Sequence, residues 1–142
     1  MQTVTPEKIA TVMALVPAPN SFSALDDMVR SGLPKSALRL SVAHVGRTAE
    51  ERKTILYSII AEATFKRRTT HLSPAESERA ERLARIFATA HYVWNSEDDA
   101  RDFLHAAHPL LENRTPLDVS MSELGARRVE DLLWSLFYGL PV

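Results

Sequence analysis

Three groups of residues in this chain have types and spacings that could do chemistry. Lys66-Arg67-Arg68 is a run of cations, preceded by Thr64-Phe65 and, a turn or two earlier, by Arg52 and Lys53; such a cluster suits phosphate groups. His105 and His108 stand three apart near a helix end, a spacing that could set two imidazoles on one metal ion. Glu97-Asp98-Asp99 is an acidic run. The last two have simpler accounts. No carboxylate is spaced to complete a metal set with the histidines, and a histidine at a helix C-terminus suits the helix dipole, as three acids in a first turn do at the other end. There is no glycine-rich phosphate loop, no H-E-x-x-H and no G-x-S-x-G, and nothing singles out a carboxylate for acid–base work. The expectation is a chain with no catalytic residue, no cofactor and no metal, one that acts by binding.

For the basic run, charge alone leaves two readings level: a solvated linker, or a segment that enters a DNA groove. A short helix pair just ahead of it (35–45 and 49–58, joined by Gly46-Arg47) is compatible with a helix-turn-helix. The net charge of −1 gives no global pull toward nucleic acid, so any DNA contact must be local. A second feature is Leu136-Phe137-Tyr138-Gly139-Leu140-Pro141-Val142, an apolar tail with a glycine and a proline inserted and an expected free carboxylate on Val142. It either folds back on its own core or plugs a partner's pocket; chemistry alone favours the fold-back.

The elements that position these groups read as helices throughout. With 142 residues, 45% of them hydrophobic, the chain can build one domain of ordinary size or two very small ones packed together. Thr5-Pro6 opens a first helix with Ile9, Val12, Met13 and Val16 at helical spacing, and Ser21 or Ser23 caps a second with Leu25, Met28 and Val29. Leu38, Val42 and Val45 mark a third, ended by Gly46. Thr48 to Glu51 has the form of a capping box, opening a segment that carries Ile55, Leu56, Ile59 and Ile60 and runs into Thr64–Arg68. Ser73-Pro74-Ala75-Glu76 starts the strongest helix, near 73–94, burying Leu83, Ile86, Phe87, Ala90 and Trp94. Ser96 caps a helix to about 107 with Ala100, Phe103, Leu104 and Ala107 inward, and Thr115-Pro116-Leu117-Asp118 makes a single turn. Ser120-Met121-Ser122-Glu123 reads as another capping box, starting a last helix near 122–138 with Val129, Leu132, Leu133, Leu136 and Phe137 inward. No run alternates as a strand does. The basic joint Arg67–His71 is the best boundary, which gives regions 1–70 and 71–142. No cysteine is present, which fits a reducing cytoplasm, and no stretch approaches the roughly 20 apolar residues of a membrane span. The N-terminus lacks the order of charge, apolar run and cleavage site that a signal peptide needs.

Over residues 64–140 the pattern resembles the Xre/MbcA/ParS antitoxin family. The resemblance rests on Arg67-Arg68, Leu72-Ser73-Pro74-Ala75-Glu76-Ser77-Glu78-Arg79, Arg82-Leu83-Ala84-Arg85, Ala100, Phe103-Leu104, Thr115-Pro116-Leu117-Asp118, Glu123-Leu124-Gly125-Ala126-Arg127-Arg128-Val129-Glu130, Leu133 and Tyr138-Gly139. Phe103 stands where the family usually has tryptophan, Glu112-Asn113-Arg114 replaces a glycine-containing turn, and Ser122 stands where threonine is common. The resemblance implies an all-α protein with an N-terminal helix-turn-helix that binds operator DNA and a C-terminal helical toxin-binding bundle. It further implies a homodimer and a RES-domain toxin that consumes NAD, silenced when the antitoxin's C-terminal end covers its cleft. On that view Lys66, Arg67, Arg68, Arg52 and Lys53 are the expected DNA contacts. The expected toxin contacts are Arg127, Arg128, Tyr138, Gly139, Leu140, Pro141 and Val142. The alternative is a stand-alone helix-turn-helix regulator with no toxin partner.

Overall fold

A computed structural model describes residues 2–139, in which helices follow one another with no strand among them. They are α1 (Pro6–Met13), α2 (Phe22–Ser31), α3 (Lys35–Val45), α4 (Ala49–Ile59), α5 (Glu62–Arg67), α6 (Pro74–Trp94), α7 (Glu97–His105), α8 (Pro116–Val119) and α9 (Glu123–Tyr138), with a short 3-10 turn at Pro109–Leu111. Polar caps fix most starts. Thr5, Ser21, Thr48, Ser73, Ser96, Thr115 and Ser122 each accept a hydrogen bond from a backbone N–H of the helix they precede, which satisfies a donor left over in the first turn. At Ser73 the exchange is reciprocal, because the Glu76 carboxylate accepts from the Ser73 N–H at 2.8 Å.

α6 is the axis of the fold. It packs against α1, α2, α3, α4, α7 and α9. Its small residues Ser77, Ala80, Ala84 and Ala90 are completely buried and let neighbouring helices approach, while Leu83, Ile86 and Phe87 fill the space between them. One continuous core therefore runs from Val4 to Trp134. The Arg67–His71 joint is stitched to the turn before α3: Lys35 N–H donates to Thr70 O at 2.9 Å and Leu72 N–H donates to Leu33 O at 2.8 Å.

Several details depart from the periodicity. α1 stops at Met13, with Ala14 in a left-handed conformation, so Val16 lies outside the helix and is 90% exposed. The segment from Thr48 does not continue to Arg68; Ile60 turns extended and α5 starts afresh, which buries Phe65 against α3. α9 is capped by Ser122 rather than Ser120, so Glu123 is its first residue and its carboxylate reaches Arg82 and Arg85. Ser120 instead gives its hydroxyl proton to Leu117 O, at 2.8 Å. Close approach at that corner requires Gly125, since a Cβ there would run into the Val119 carbonyl oxygen. Trp94, Leu136 and Phe137, placed inward by spacing, are half-exposed, and Ala107 lies past the end of α7 on the surface. Trp94 and Phe137 keep one-sided aromatic contacts, with Phe103 and with Tyr92 and Trp134, at the C-terminal ends of α6 and α9, where the cover is incomplete.

Candidate functional site

Two surfaces carry the residues singled out above. The first is cationic and is built by α3 and α5. Phe65 is 2% exposed, and two cations from α3 lie against its ring: Lys35 Nζ is 4.4 Å and Arg39 Cζ 5.2 Å from its centroid. Lys35 also donates to Arg68 O at 2.9 Å, placing a positive charge on the C-terminal carbonyls of α5. Lys66 and Arg67 are exposed, and Lys66 makes only a surface pair with Glu62, four residues back. Arg68 is different. Its Nε and Nη2 donate to the two oxygens of Glu76 at 3.0 and 2.9 Å. Glu76 is 5% exposed, and the Arg68 hydrogen bonds hold its carboxyl down to about 2.

Of the other basic residues expected here, Arg52 lies along Gly46 and donates to its carbonyl at 3.3 Å, tying α4 to the end of α3. Lys53 is exposed on α4. Lys35 and Arg39, which the basic run did not reveal, carry an i,i+4 signal on a helix 27 or more residues earlier in the chain. Only the fold brings them to Phe65.

The second surface is the outer face of α9 with the end of α6. Tyr92, Phe137 and Tyr138 are 43%, 43% and 52% exposed and pack around the buried Trp134, with ring centroids 5.0–6.3 Å apart. Such a concentration of half-exposed aromatic rings is rare on a surface that touches only water. Tyr138 donates to Gln2 Oε1 at 2.8 Å, and Lys8 lies over Tyr92, so the N-terminal segment borders this patch. Gly139 closes α9 in a left-handed conformation, with open space where a Cβ would stand. Leu140, Pro141 and Val142 lie outside the described residues. Arg128 is held by Glu112 at 2.7 and 2.9 Å and by Leu110 O, whereas Arg127 is exposed and forms no ion pair among the described residues. Beside them Leu124 is 71% exposed, an apolar residue that the helical stripe gave no reason to notice.

A partly buried charge cluster joins α6 to α9. Arg85 meets Glu81, Glu123 and Glu130 at 3.1, 3.0 and 2.8 Å. Burial pushes the Glu81 and Glu130 carboxyls up, against the pull of the guanidinium. Three of the five histidines are engaged in fixing helices. His44 donates to Glu97 at 2.8 Å, His105 donates to Val45 O at 2.8 Å, and His108 accepts from Leu110 N–H at 3.1 Å as the cap of the 3-10 turn. The acidic run occupies the first turn of α7, where Ser96 caps the Asp99 N–H, Asp98 pairs with Arg101 and Glu97 with His44. Among the described residues no helix is long and apolar enough to cross a membrane.

Comparison with known families agrees with this division into two surfaces. The antitoxin Xre-like helix-turn-helix domain matches residues 24–85, from α2 into α6, and carries the cationic surface. The antitoxin Xre/MbcA/ParS C-terminal toxin-binding domain matches residues 89–139, from the end of α6 through α9, and carries the aromatic one. No curated protein matches the chain. With both domain models matched in order and meeting inside α6, the chain belongs to the Xre/MbcA/ParS antitoxin family and is the antitoxin of a toxin–antitoxin system.

Proposed function

We propose that this antitoxin neutralises a RES-domain, NAD-consuming toxin by covering its active-site cleft with the end of α9 and the residues after it. In the same reading it is a cytoplasmic homodimer that represses its own operon through the cationic surface, and it acts by binding without catalysing a reaction. Residues 1–70 serve DNA binding and dimerisation, and residues 71–142 serve the toxin.

The observation that carries this reading is that the segment matching a toxin-binding domain ends on the exposed Leu136-Phe137-Tyr138 turn. Aromatic side chains bring large, rigid contact area at low entropic cost and dominate tight interfaces. Past Gly139, Leu140 and Val142 add apolar area and Pro141 reduces the ordering entropy lost on binding. Arg127, exposed and without an ion pair among the described residues, suits acids at the rim of a cleft, where it acts on association rate more than on final affinity. Arg128 can join it only by leaving Glu112.

The test is co-expression with the product of the adjacent reading frame, followed by co-purification, a growth assay and a measurement of NAD hydrolysis. Co-purification with loss of NAD hydrolysis is the expected result. A neighbour with no effect on NAD and no affinity for this chain would leave a stand-alone regulator.

A further inference from the structure

The cations around Phe65 share one surface but are not equivalent. Lys35 is half-buried and fastened twice, its backbone N–H on Thr70 O and its Nζ on Arg68 O, each at 2.9 Å. Arg68 is fastened by both oxygens of Glu76, whose carboxylate has almost no access to water and also accepts from Ser73 N–H. Withdrawing that guanidinium to a phosphate would leave a desolvated carboxylate without its counter-charge, a costly exchange. Arg39, Lys66 and Arg67 have no such ties. Arg39 is exposed, with its Cζ 5.2 Å from the centroid of the Phe65 ring, and its N–H donors are free of any ion pair among the described residues. Arg67 is exposed without an ion pair among the described residues, and the Lys66–Glu62 pair is a solvent-exposed one that a phosphate can displace.

We infer that this surface divides into two sets: Arg39, Lys66 and Arg67 contact the phosphates of duplex DNA, while Lys35 and Arg68 are positioning residues that hold α5 and touch no phosphate. The inference rests on the DNA-binding reading above and adds Arg39 of α3 to the contact set. The contacts then come from two helices that meet at Phe65, so a duplex would lie across the α3–α5 seam and not along α5 alone, which at six residues is too short to fill a groove by itself.

Salt dependence separates the two sets, because each phosphate contact contributes about one unit to the slope of log K against log salt. The full-length protein is titrated with a fluorescent duplex covering the region upstream of its own gene, at several KCl concentrations, and each variant's melting temperature is recorded. Arg39→Gln and Arg67→Gln are each expected to flatten the slope by about one unit with the melting temperature unchanged. Arg68→Gln is expected to lower the melting temperature and leave the slope as it was. Glu76→Gln keeps the arginine but frees it, and is expected to steepen the slope by up to about one unit; it also covers the case in which Arg68→Gln fails to fold. The division is overturned if Arg39→Gln leaves the slope intact, if Arg68→Gln flattens it, or if freeing Arg68 has no effect on it. A wild-type protein that binds no duplex at all overturns the DNA reading itself, a result distinct from the others.

Discussion

The guanidinium of Arg68 grips both oxygens of Glu76, at 3.0 and 2.9 Å, and so joins the exit of α5 to the first turn of α6. Glu76 also completes the Ser73 capping box, which makes one carboxylate serve a cap and a clamp together. Its carboxyl is held at about 2, below the ordinary value of 4.5, chiefly by the Arg68 hydrogen bonds. A depressed folded value stabilises the fold above the unfolded value. The Glu76 contribution is therefore expected in full above about pH 5, and on the order of 2–3 kcal/mol of it is lost as pH falls from there toward 2. Glu76→Gln should flatten that part of the stability profile, measured by urea melts from pH 2.5 to 7; an unchanged profile would show that Glu76 is not the group responsible.

Arg85 should be the least replaceable charge in the protein. It is the shared partner of Glu81, Glu123 and Glu130, and its side chain is 18% exposed. Arg85→Leu leaves buried carboxylates unpaired and is expected to cost about 3–5 kcal/mol at pH 7. Because burial already raises the Glu81 and Glu130 carboxyls, the variant should regain stability as pH falls toward 5 and they take up protons. A loss that does not vary with pH would point to lost packing of the arginine stem instead.

α9 offers an internal control. Leu132 is 6% exposed in the core, while Leu136, one turn later, is 38% exposed. Leu132→Ala is expected to destabilise by about 2–5 kcal/mol and Leu136→Ala by under about 1 kcal/mol, in thermal melts followed by circular dichroism. Equal losses would mean that the end of α9 is covered in solution, for instance by a second copy.

Toxin binding should respond in the opposite order. Phe137 and Tyr138 are half-exposed and a Cβ on Gly139 would meet nothing, so Phe137→Ala, Tyr138→Ala or deletion of residues 139–142 should leave the melting temperature within a few degrees. On the proposed function, Phe137→Ala and Tyr138→Ala should each weaken toxin binding by more than tenfold, as loss of a central aromatic anchor does, and the deletion should restore NAD hydrolysis by the proposed toxin. Full inhibition by the truncated protein would move the inhibitory contact to the body of the bundle.

The character and most boundaries of the helices were legible in the chain because they are set by short-range chemistry. Ser73-Pro74-Ala75-Glu76 caps α6 through atoms three residues apart, and Leu83, Ile86, Phe87 and Ala90 fall on its buried faces through helical spacing alone. The aromatic tail and the basic run were legible as unusual composition, and the order of motifs was enough to indicate the family. Tertiary structure decided which members of those groups are available. Trp94, Leu136 and Phe137 keep the apolar period yet stand half-exposed, because a period says which side of a helix is apolar and not how far the neighbouring helix extends. Arg67 and Arg68 are adjacent in sequence and alike in chemistry; one is exposed and the other is tied to a buried carboxylate eight residues away, where α6 happens to begin. Arg39 comes to Phe65 across 26 residues of chain, a meeting that depends on how α3 and α5 pack and that no local pattern encodes.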